Sequence, residues 1–246
     1  MTDIMQYIRE KRKRDHLKYW GIHETQGELI SNFSSTTILE LEVRLLRVKP
    51  AVWRRFRVPS TITLDVLHQA VQAVMGWTDS HVHKFESVDG FKSYVDSEQY
   101  NISGQEAGGC EEAECEENVT VSEVFNHSGS SLCYTYDMGD RWQHVIKLLK
   151  VDNDATAEEA RFQCVAGNGA CPPEDCGGIC GYEHLKDCLT AKVRSKNAKE
   201  RIKWFEDCSG TDATSFDPTF FDCQEADLLL KKLFASEESS DDESIS

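Results

Sequence analysis

The chain lacks any long hydrophobic run, and this absence excludes whole classes of protein. None of its 246 residues lies in an apolar stretch approaching the roughly 18–20 residues that a membrane-spanning helix needs. Residues 1–20 contain six Lys and Arg residues and no apolar segment of the kind that marks a secretory signal. We therefore expect a protein of the cytoplasm, with the nucleus as the alternative, and no membrane partner.

Excess basic charge, the usual mark of a domain that binds nucleic acid, is also missing. The chain has 27 Lys and Arg residues against 43 Asp and Glu residues, which gives a net charge of −16. Much of this acidity falls in residues 97–118, which we interpret as a mobile acidic insertion, and in residues 236–246, which we expect to be a disordered tail. A protein is therefore the favoured partner, and nucleic acid is the less favoured alternative.

One compact domain is predicted over residues 37–235, after a basic N-terminal extension of residues 1–36. Hydrophobic residues at every second position predict strands, most clearly in a hairpin over residues 132–149. Hydrophobic residues at helical spacing over 64–75 predict a helix that ends at Gly76. Since strands and helices do not alternate strictly, we expect an α+β fold, with a mostly antiparallel sheet, helices packed on one face, and flexible tails.

Five sequence strings, in their order and spacing, resemble one known family, the plasmid pRiA4b ORF-3-like family. The resemblance covers roughly residues 37–235 and is most specific in the string PPEDCGG. The strings are LRVKPAVWRRFRVP (46–59), LDVLHQAVQAVMGWTDSHVHKF (64–85), YTYDMGDRWQHV (134–145), CVAGNGACPPEDCGGICGY (164–182) and FDPTFF (216–221).

What the resemblance implies is a compact mixed α/β fold without an established biochemical activity. Some members of the family are labelled as passengers of mobile elements, which is an association of genes and not a mechanism. The chain departs from the family pattern in its basic extension, its acidic insertion, Met138 where Phe is usual, and the additional Cys180.

The Cys-, Gly- and Pro-rich segment 164–181 is predicted to be an irregular loop and is the first candidate site. Cysteines in a reducing compartment are free thiols or metal ligands before they are disulfides. Zinc takes four such ligands in a tetrahedron, so zinc is the candidate cofactor. The alternative is that these residues are small buried hydrophobic side chains, since no Cys-x-x-Cys pair is present. The four candidate ligands are Cys164, Cys171, Cys176 and Cys180.

The turn of the predicted hairpin is the second candidate site. Asp137, Asp140 and His144 lie within eight residues and could act as a catalytic carboxylate–imidazole set or bind a metal, with His81 and His83 close in the fold. The alternative interpretation is structural, because Asp at a turn accepts backbone N–H bonds.

Arg54 supports the structural interpretation of that turn. It falls on the apolar face of its predicted strand, where a charge needs a partner, and we expect that partner to be Asp137 or Asp140.

A binding surface is predicted where the hairpin meets the PPED string. Arginines crowd the first hairpin around Trp53 and could hold a nucleotide, or they could form a solvated face balanced by the domain's own acids. Our leading hypothesis is a binding or interaction domain without a recognised catalytic motif, and the alternative is a metal-dependent hydrolase or nucleic-acid-processing protein. The predicted binding residues are Trp53, Arg54, Arg55, Trp142, Glu174 and Asp175.

Overall fold

The structure, a computed structural model, describes residues 2–23, 27–103, 112–156, 161–191, 193–209, 212–213 and 215–235. Its helices are α1 (Thr2–Trp20), α2 (Leu64–Met75), α3 (Ser97–Ser103), α4 (Val121–Val124), α5 (Gly178–Thr190), α6 (Lys196–Ser209) and α7 (Cys223–Ala235). Its strands are β1 (Ile38–Leu45), β2 (Trp53–Pro59), β3 (His83–Ser87), β4 (Lys92–Val95), β5 (Glu112–Cys115), β6 (Ser131–Tyr136), β7 (Trp142–Asp152) and β8 (Gln163–Asn168).

The eight strands form one sheet in the order β5-β4-β3-β6-β7-β1-β2-β8. The β4–β5 pair is parallel, and the other neighbours in the sheet are antiparallel. The predicted α+β class with a mostly antiparallel sheet is therefore confirmed. The hairpin predicted over 132–149 is the β6–β7 pair, in which Tyr136 lies opposite Trp142 next to the turn.

The face of the sheet that packs against α2 forms the core. Along β7, Trp142, His144 and Ile146 point to this face and are fully buried, while the intervening residues point the other way. Helix α2 is strongly amphipathic and buries Leu67, Val71 and Val74, among others, against the sheet. The C-terminal helix α7 contacts both α2 and β8.

Helix α1, in the predicted N-terminal extension, lies against the opposite face. Gln143, which alternates with the core residues of β7, accepts a hydrogen bond from the hydroxyl of Tyr19 at 3.1 Å. Leu17 and Trp20 are buried in this contact region. No helix in the described ranges is both long and apolar enough to cross a membrane.

The acidic insertion departs from its prediction at both ends. Ser97–Ser103 is helical, and Glu112–Cys115 adds a parallel strand to the edge of the sheet, followed by a 3₁₀ turn at Glu116–Asn118. The prediction of a mobile acidic insertion did not include these regular elements, in which hydrogen bonding of β5 to β4 satisfies the backbone of an acidic sequence. Residues 104–111 and the acidic tail, 236–246, lie outside the described residues.

Candidate functional site

An open pocket of about 440 Å³ lies where the chain passes from α2 to β3. Three histidines and several carboxylates line it, all of them potential metal ligands. A larger cavity of about 740 Å³ lies beside β1, β2 and β8. There the charged groups already pair with one another, as in Arg57 with Glu40 at 3.0 Å and Lys150 with Asp152 at 3.1 Å. The smaller pocket is therefore the candidate site.

His68, on the buried side of α2, is the first potential ligand in this pocket. Its Nδ1 lies 2.8 Å from the hydroxyl of Tyr134, and its Nε2 lies 2.8 Å from Oδ1 of Asp79. Gln72 connects the other two partners, since its Nε2 donates to the Tyr134 hydroxyl at 3.0 Å and its Oε1 accepts from the Asp79 amide at 3.1 Å. The hydrogen bonds form a closed ring that fixes the positions of His68 and Asp79.

Electrostatics keep this histidine neutral and its partner ionised. Burial lowers the pKa of His68, and the hydrogen bond from His68 lowers the pKa of Asp79. A neutral imidazole beside an ionised carboxylate is the protonation state that a metal ion requires of its ligands.

His83, the first residue of β3, forms the second half of the pocket with Glu116. Its Nε2 lies 3.0 Å from both carboxylate oxygens of Glu116, whose side chain is only 2% exposed. The rings of His68 and His83 are stacked, with centroids 3.4 Å apart and planes within 2°. One ligand atom from each of His68, Asp79 and His83 lies within 4.8 Å of the others.

Three of the four side chains, those of His68, Asp79 and His83, lie close enough together to share an ion, and Glu116 joins them through His83. Zinc–ligand bonds of about 2.0–2.2 Å place neighbouring ligand atoms roughly 3.3–3.5 Å apart. The present His68–Asp79 and His83–Glu116 separations are 2.8 and 3.0 Å, and because the two imidazole rings are stacked and parallel, both rings would need to tilt for their Nε2 atoms to bind the same ion. Imidazole and carboxylate together suit zinc and other divalent first-row metals.

A second group of potential metal ligands joins the β6–β7 turn to the loop that carries the PPED string, residues 172–175. The Nε2 of His81 lies 3.8 Å from Oδ2 of Asp137 and 3.2 Å from Oδ1 of Asp175. Two further contacts hold the same junction together: the Tyr136 hydroxyl donates to Glu174 at 2.9 Å, and Trp77 donates to the carbonyl of Pro172 at 3.0 Å. The structure thus brings the predicted site residues Asp137, Glu174 and Asp175 into one region.

The proposed catalytic set of Asp137, Asp140 and His144 is not brought together. Asp140 accepts a hydrogen bond from the Gly177 amide at 3.0 Å, so it anchors the cysteine-rich loop. His144 is fully buried and packs edge-on against Trp77, with ring centroids 5.3 Å apart. Burial lowers the pKa of His144 to about 3, and a neutral, enclosed imidazole cannot exchange protons with a substrate at that turn.

The four loop cysteines do not converge on a zinc site. Cys164 belongs to β8, where its sulfur lies 3.8 Å from that of Cys223, whereas Cys180 is exposed on α5. Burial raises the pKa of Cys164 and of Cys176 to about 12, and it also raises that of Cys171. Among the described residues, neither grouping of three or more potential ligands contains a cysteine. The structure therefore does not bring these four thiols together, and zinc binding by them stays a prediction.

Arg54 is buried as predicted, but its partners are carbonyl groups. The guanidinium donates to the backbone oxygens of Val74, Trp53, Asn168 and Gly169, each at 2.9 Å. The predicted pairing with Asp137 or Asp140 is wrong, because these four acceptors, from the C-terminal turn of α2, the start of β2 and the end of β8, already satisfy the charge.

The remaining predicted binding residues occupy different surroundings. Trp142 is fully buried, so it lies in the core and cannot form a contact surface. Trp53 and Arg55 lie on β2, three strands away from β6 in the sheet. Arg55 pairs with Glu42 at 3.4 Å, which agrees with an arginine face balanced by the domain's own acids.

Three residues of the pocket were missed by the sequence reasoning. His68 and Asp79 are not among the predicted site residues, and Glu116 falls in the predicted acidic insertion of residues 97–118. The alternating His-Val-His of residues 81–83, which places two histidines on the same side of an extended chain, was the available signal. It does not reveal the partners, because they come from separate elements.

Comparison with known proteins gives the family of this chain. The model of the family described as plasmid pRiA4b ORF-3-like protein matches residues 37–225. The chain belongs to the plasmid pRiA4b ORF-3-like family. The resemblance predicted from the five strings is thereby confirmed, and the family region begins directly before β1.

Two relatives of this pRiA4b ORF-3-like chain have names that state no function. It is 32% identical over 197 residues to the "Uncharacterized protein y4hQ" of Sinorhizobium fredii, covering 79% of this chain and 94% of that protein. It also resembles the crystal structure of "Protein of Unknown Function MM3350" of Methanosarcina mazei Go1, with a TM-score of 0.62 and 30% identity over 79% of this chain and 98% of that one. Neither name assigns a reaction, so the site itself must carry the functional argument.

Proposed function

We propose that this chain is a metal-binding domain that holds one divalent transition-metal ion in the pocket between α2 and β3. The ligands are His68 Nε2, His83 Nε2 and the carboxylates of Asp79 and Glu116. The observation that carries the proposal is the convergence of His68, Asp79 and His83 in one open pocket, with the buried Glu116 hydrogen-bonded to His83. Buried ionisable groups of this kind are costly unless they are paired or bind a metal.

The surroundings of the ligands support the proposal. Metal-binding histidines usually have their second ring nitrogen held by a hydrogen bond, and Tyr134 supplies that contact to His68. Gln72 positions Tyr134 and the backbone of Asp79 together. For His68 Nε2 to bind an ion, the neutral ring must carry its single proton on Nδ1, with the Tyr134 hydroxyl as acceptor.

The pocket supports binding of a further ligand at the ion. The Asp79 side chain is 55% exposed, whereas those of His68, His83 and Glu116 lie at the inner wall. An ion held here is therefore reachable from solvent on the Asp79 side, which fits the binding-domain hypothesis and also the metal-dependent alternative.

Zinc titration of the full-length, metal-stripped protein tests the proposal. We expect a zinc equivalent, measured by calorimetry and elemental analysis, whose affinity falls at least about tenfold in Glu116→Gln and in Asp79→Asn. Glu117→Gln is the matched control, because Glu117 is the adjacent, exposed carboxylate at the same pocket. Equal zinc affinity in the Glu116 and Glu117 variants, or no zinc binding by the unaltered chain, would overturn the proposal.

A further inference from the structure

His81 has a ring nitrogen that lies between two carboxylates without a hydrogen bond to either. The Nε2 atom is shielded from solvent and has no hydrogen-bond partner among the described residues, although Asp175 Oδ1 is 3.2 Å away and Asp137 Oδ2 is 3.8 Å away. A shielded polar nitrogen is normally satisfied. Its lone pair and two carboxylate oxygens within 4.8 Å of one another leave room for a cation.

Asp137 is oriented toward this space by the hairpin turn. Its Oδ1 accepts the backbone N–H groups of Gly139 and Asp140, at 2.8 and 3.2 Å, so its Oδ2 remains free to face His81. Metal-binding carboxylates are commonly oriented in this way: hydrogen bonds from the protein hold one oxygen, and the other oxygen faces the ion.

Asp175 is held in place although its side chain is 71% exposed. Its neighbour Glu174 accepts hydrogen bonds from the Tyr136 hydroxyl at 2.9 Å and from the Thr78 amide at 3.1 Å. On its other side, the Gly177 amide donates to Asp140 at 3.0 Å. The segment 174–177 is thus anchored on both sides of Asp175, and these anchors place the Asp175 carboxylate beside His81.

We infer that His81, Asp137 and Asp175 form a second divalent-cation site, separate from that of His68, Asp79, His83 and Glu116. One imidazole and two carboxylates make a hard, oxygen-rich ligand set that suits Mn²⁺ and allows water in the remaining positions. His81 and His83 are separated by one residue, Val82, so the two sites lie on the same short segment, with Cα atoms about 7 Å apart in an extended chain. The geometry of this site stands by itself and does not require the first ion.

Mn²⁺ binding to the full-length protein, followed by electron paramagnetic resonance of the free ion, tests the inference. We expect Asp175→Asn and His81→Gln to weaken the binding of a Mn²⁺ ion at least about tenfold. Asp140→Asn is the control, because it removes a nearby charge but retains a carbonyl oxygen for the Gly177 amide. Asp175 is exposed, so its variant tests the ligand role even where the His81 variant fails to fold.

The outcomes separate this inference from the proposed function. Mn²⁺ binding that Asp175→Asn weakens and Glu116→Gln leaves intact supports the second site. Binding that is lost in Glu116→Gln and unchanged in Asp175→Asn overturns the second site and leaves the proposed function standing. Equal weakening in Asp140→Asn and Asp175→Asn also overturns it, because nearby charge and not coordination would then account for the loss.

Discussion

Arg54 illustrates, at the scale of a single residue, how this core accommodates a charge without a carboxylate. The side chain is 1% exposed, and its guanidinium lies 3.8 Å from the centroid of the Phe221 ring. Burial lowers the pKa of Arg54, but a guanidinium stays protonated in proteins. Its planar fork of donors connects the C-terminal turn of α2, through Val74, to the end of β8, through Asn168.

We predict that Arg54→Lys lowers the free energy of unfolding by about 2–4 kcal/mol, because one ammonium group cannot reach four separate carbonyls. Urea denaturation of both proteins measures this change. Arg57→Lys is the control on the same strand, since Arg57 is partly exposed and pairs with Glu40, and it should change stability by less than about 0.5 kcal/mol. Similar losses in both variants would contradict the role of the buried fork.

His144 makes the stability of the protein depend on pH. Neither ring nitrogen has a hydrogen-bond partner of normal geometry in the described part of the chain, and the nearby backbone of Tyr134 and Trp142 only partly offsets the burial that lowers its pKa from 6.5 to about 3. Between these two values the unfolded chain binds a proton that the folded chain does not. Stability is therefore lost as pH falls below about 6.5.

We predict that this one side chain accounts for roughly 2 kcal/mol of the stability lost between pH 7 and pH 5. His144→Leu, which removes the titrating group, should reduce the pH-dependent loss by that amount in denaturant melts at the two pH values. His184→Gln, at an exposed position on α5, is the control for the loss of a histidine as such, and the effect of His144→Leu should exceed it. An unaltered pH slope in His144→Leu would contradict the prediction. His68, whose pKa burial also lowers, titrates in all three proteins.

At the scale of elements, the end of α2 determines where the chain enters the pocket. Gly76 has φ of 89°, and its amide donates to the carbonyl of Gln72 at 2.8 Å, which closes the helix in the left-handed conformation. The chain then turns back beside the helix, so that the carboxylate of Asp79 reaches the imidazole of His68 on α2.

We predict that Gly76→Ala costs about 1–2 kcal/mol through backbone conformation alone. An added Cβ would meet no atom within 4 Å, so no steric clash contributes to the loss. Gly76→Asn should cost less, because Asn tolerates the left-handed region. Thermal or urea unfolding of the two variants checks the order, and an alanine variant as stable as the asparagine variant would argue against a conformational cause.

Elements that depend on local sequence were predictable, and those that depend on distant pairing were not. The helix ending at Gly76, the Thr120–Glu123 capping box and the β6–β7 hairpin each follow from neighbouring residues. Strand β5 was missed because its parallel pairing with β4 has no turn signal and its sequence is acidic. The pocket was missed for the same reason, since Glu116 follows β5 while its partner His83 begins β3.

At the scale of the whole molecule, the sheet is covered by different parts of the chain on its two faces. Helices α2 and α7 pack against β2 and β8, which lie within the family match of residues 37–225. Helix α1 precedes residue 37, where that match begins. Helix α1 contacts the sheet through Trp20, which is 2% exposed, through the Tyr19–Gln143 hydrogen bond and through Arg9, which lies 4.7 Å from the Phe91 ring centroid. These contacts run along the helix from Arg9 to Trp20, but among the described side chains of α1 only Leu17 and Trp20 are buried, so the helix covers little of the apolar surface of the sheet.

We therefore predict that α1 can open without unfolding the sheet, and that Trp20→Ala selectively favours this opening. Truncation of a buried tryptophan costs about 3–5 kcal/mol of packing free energy. We expect this loss to exceed the free energy that holds a peripheral helix against the sheet. Hydrogen exchange should show loss of amide protection in α1 and retained protection in α2 and β7. Tyr7→Ala is the control, because Tyr7 is 61% exposed on the same helix and should leave both regions protected. If α1 and α2 lost protection together in Trp20→Ala, the two faces would form one cooperative unit, and α1 would be part of the folded domain and not an extension docked upon it.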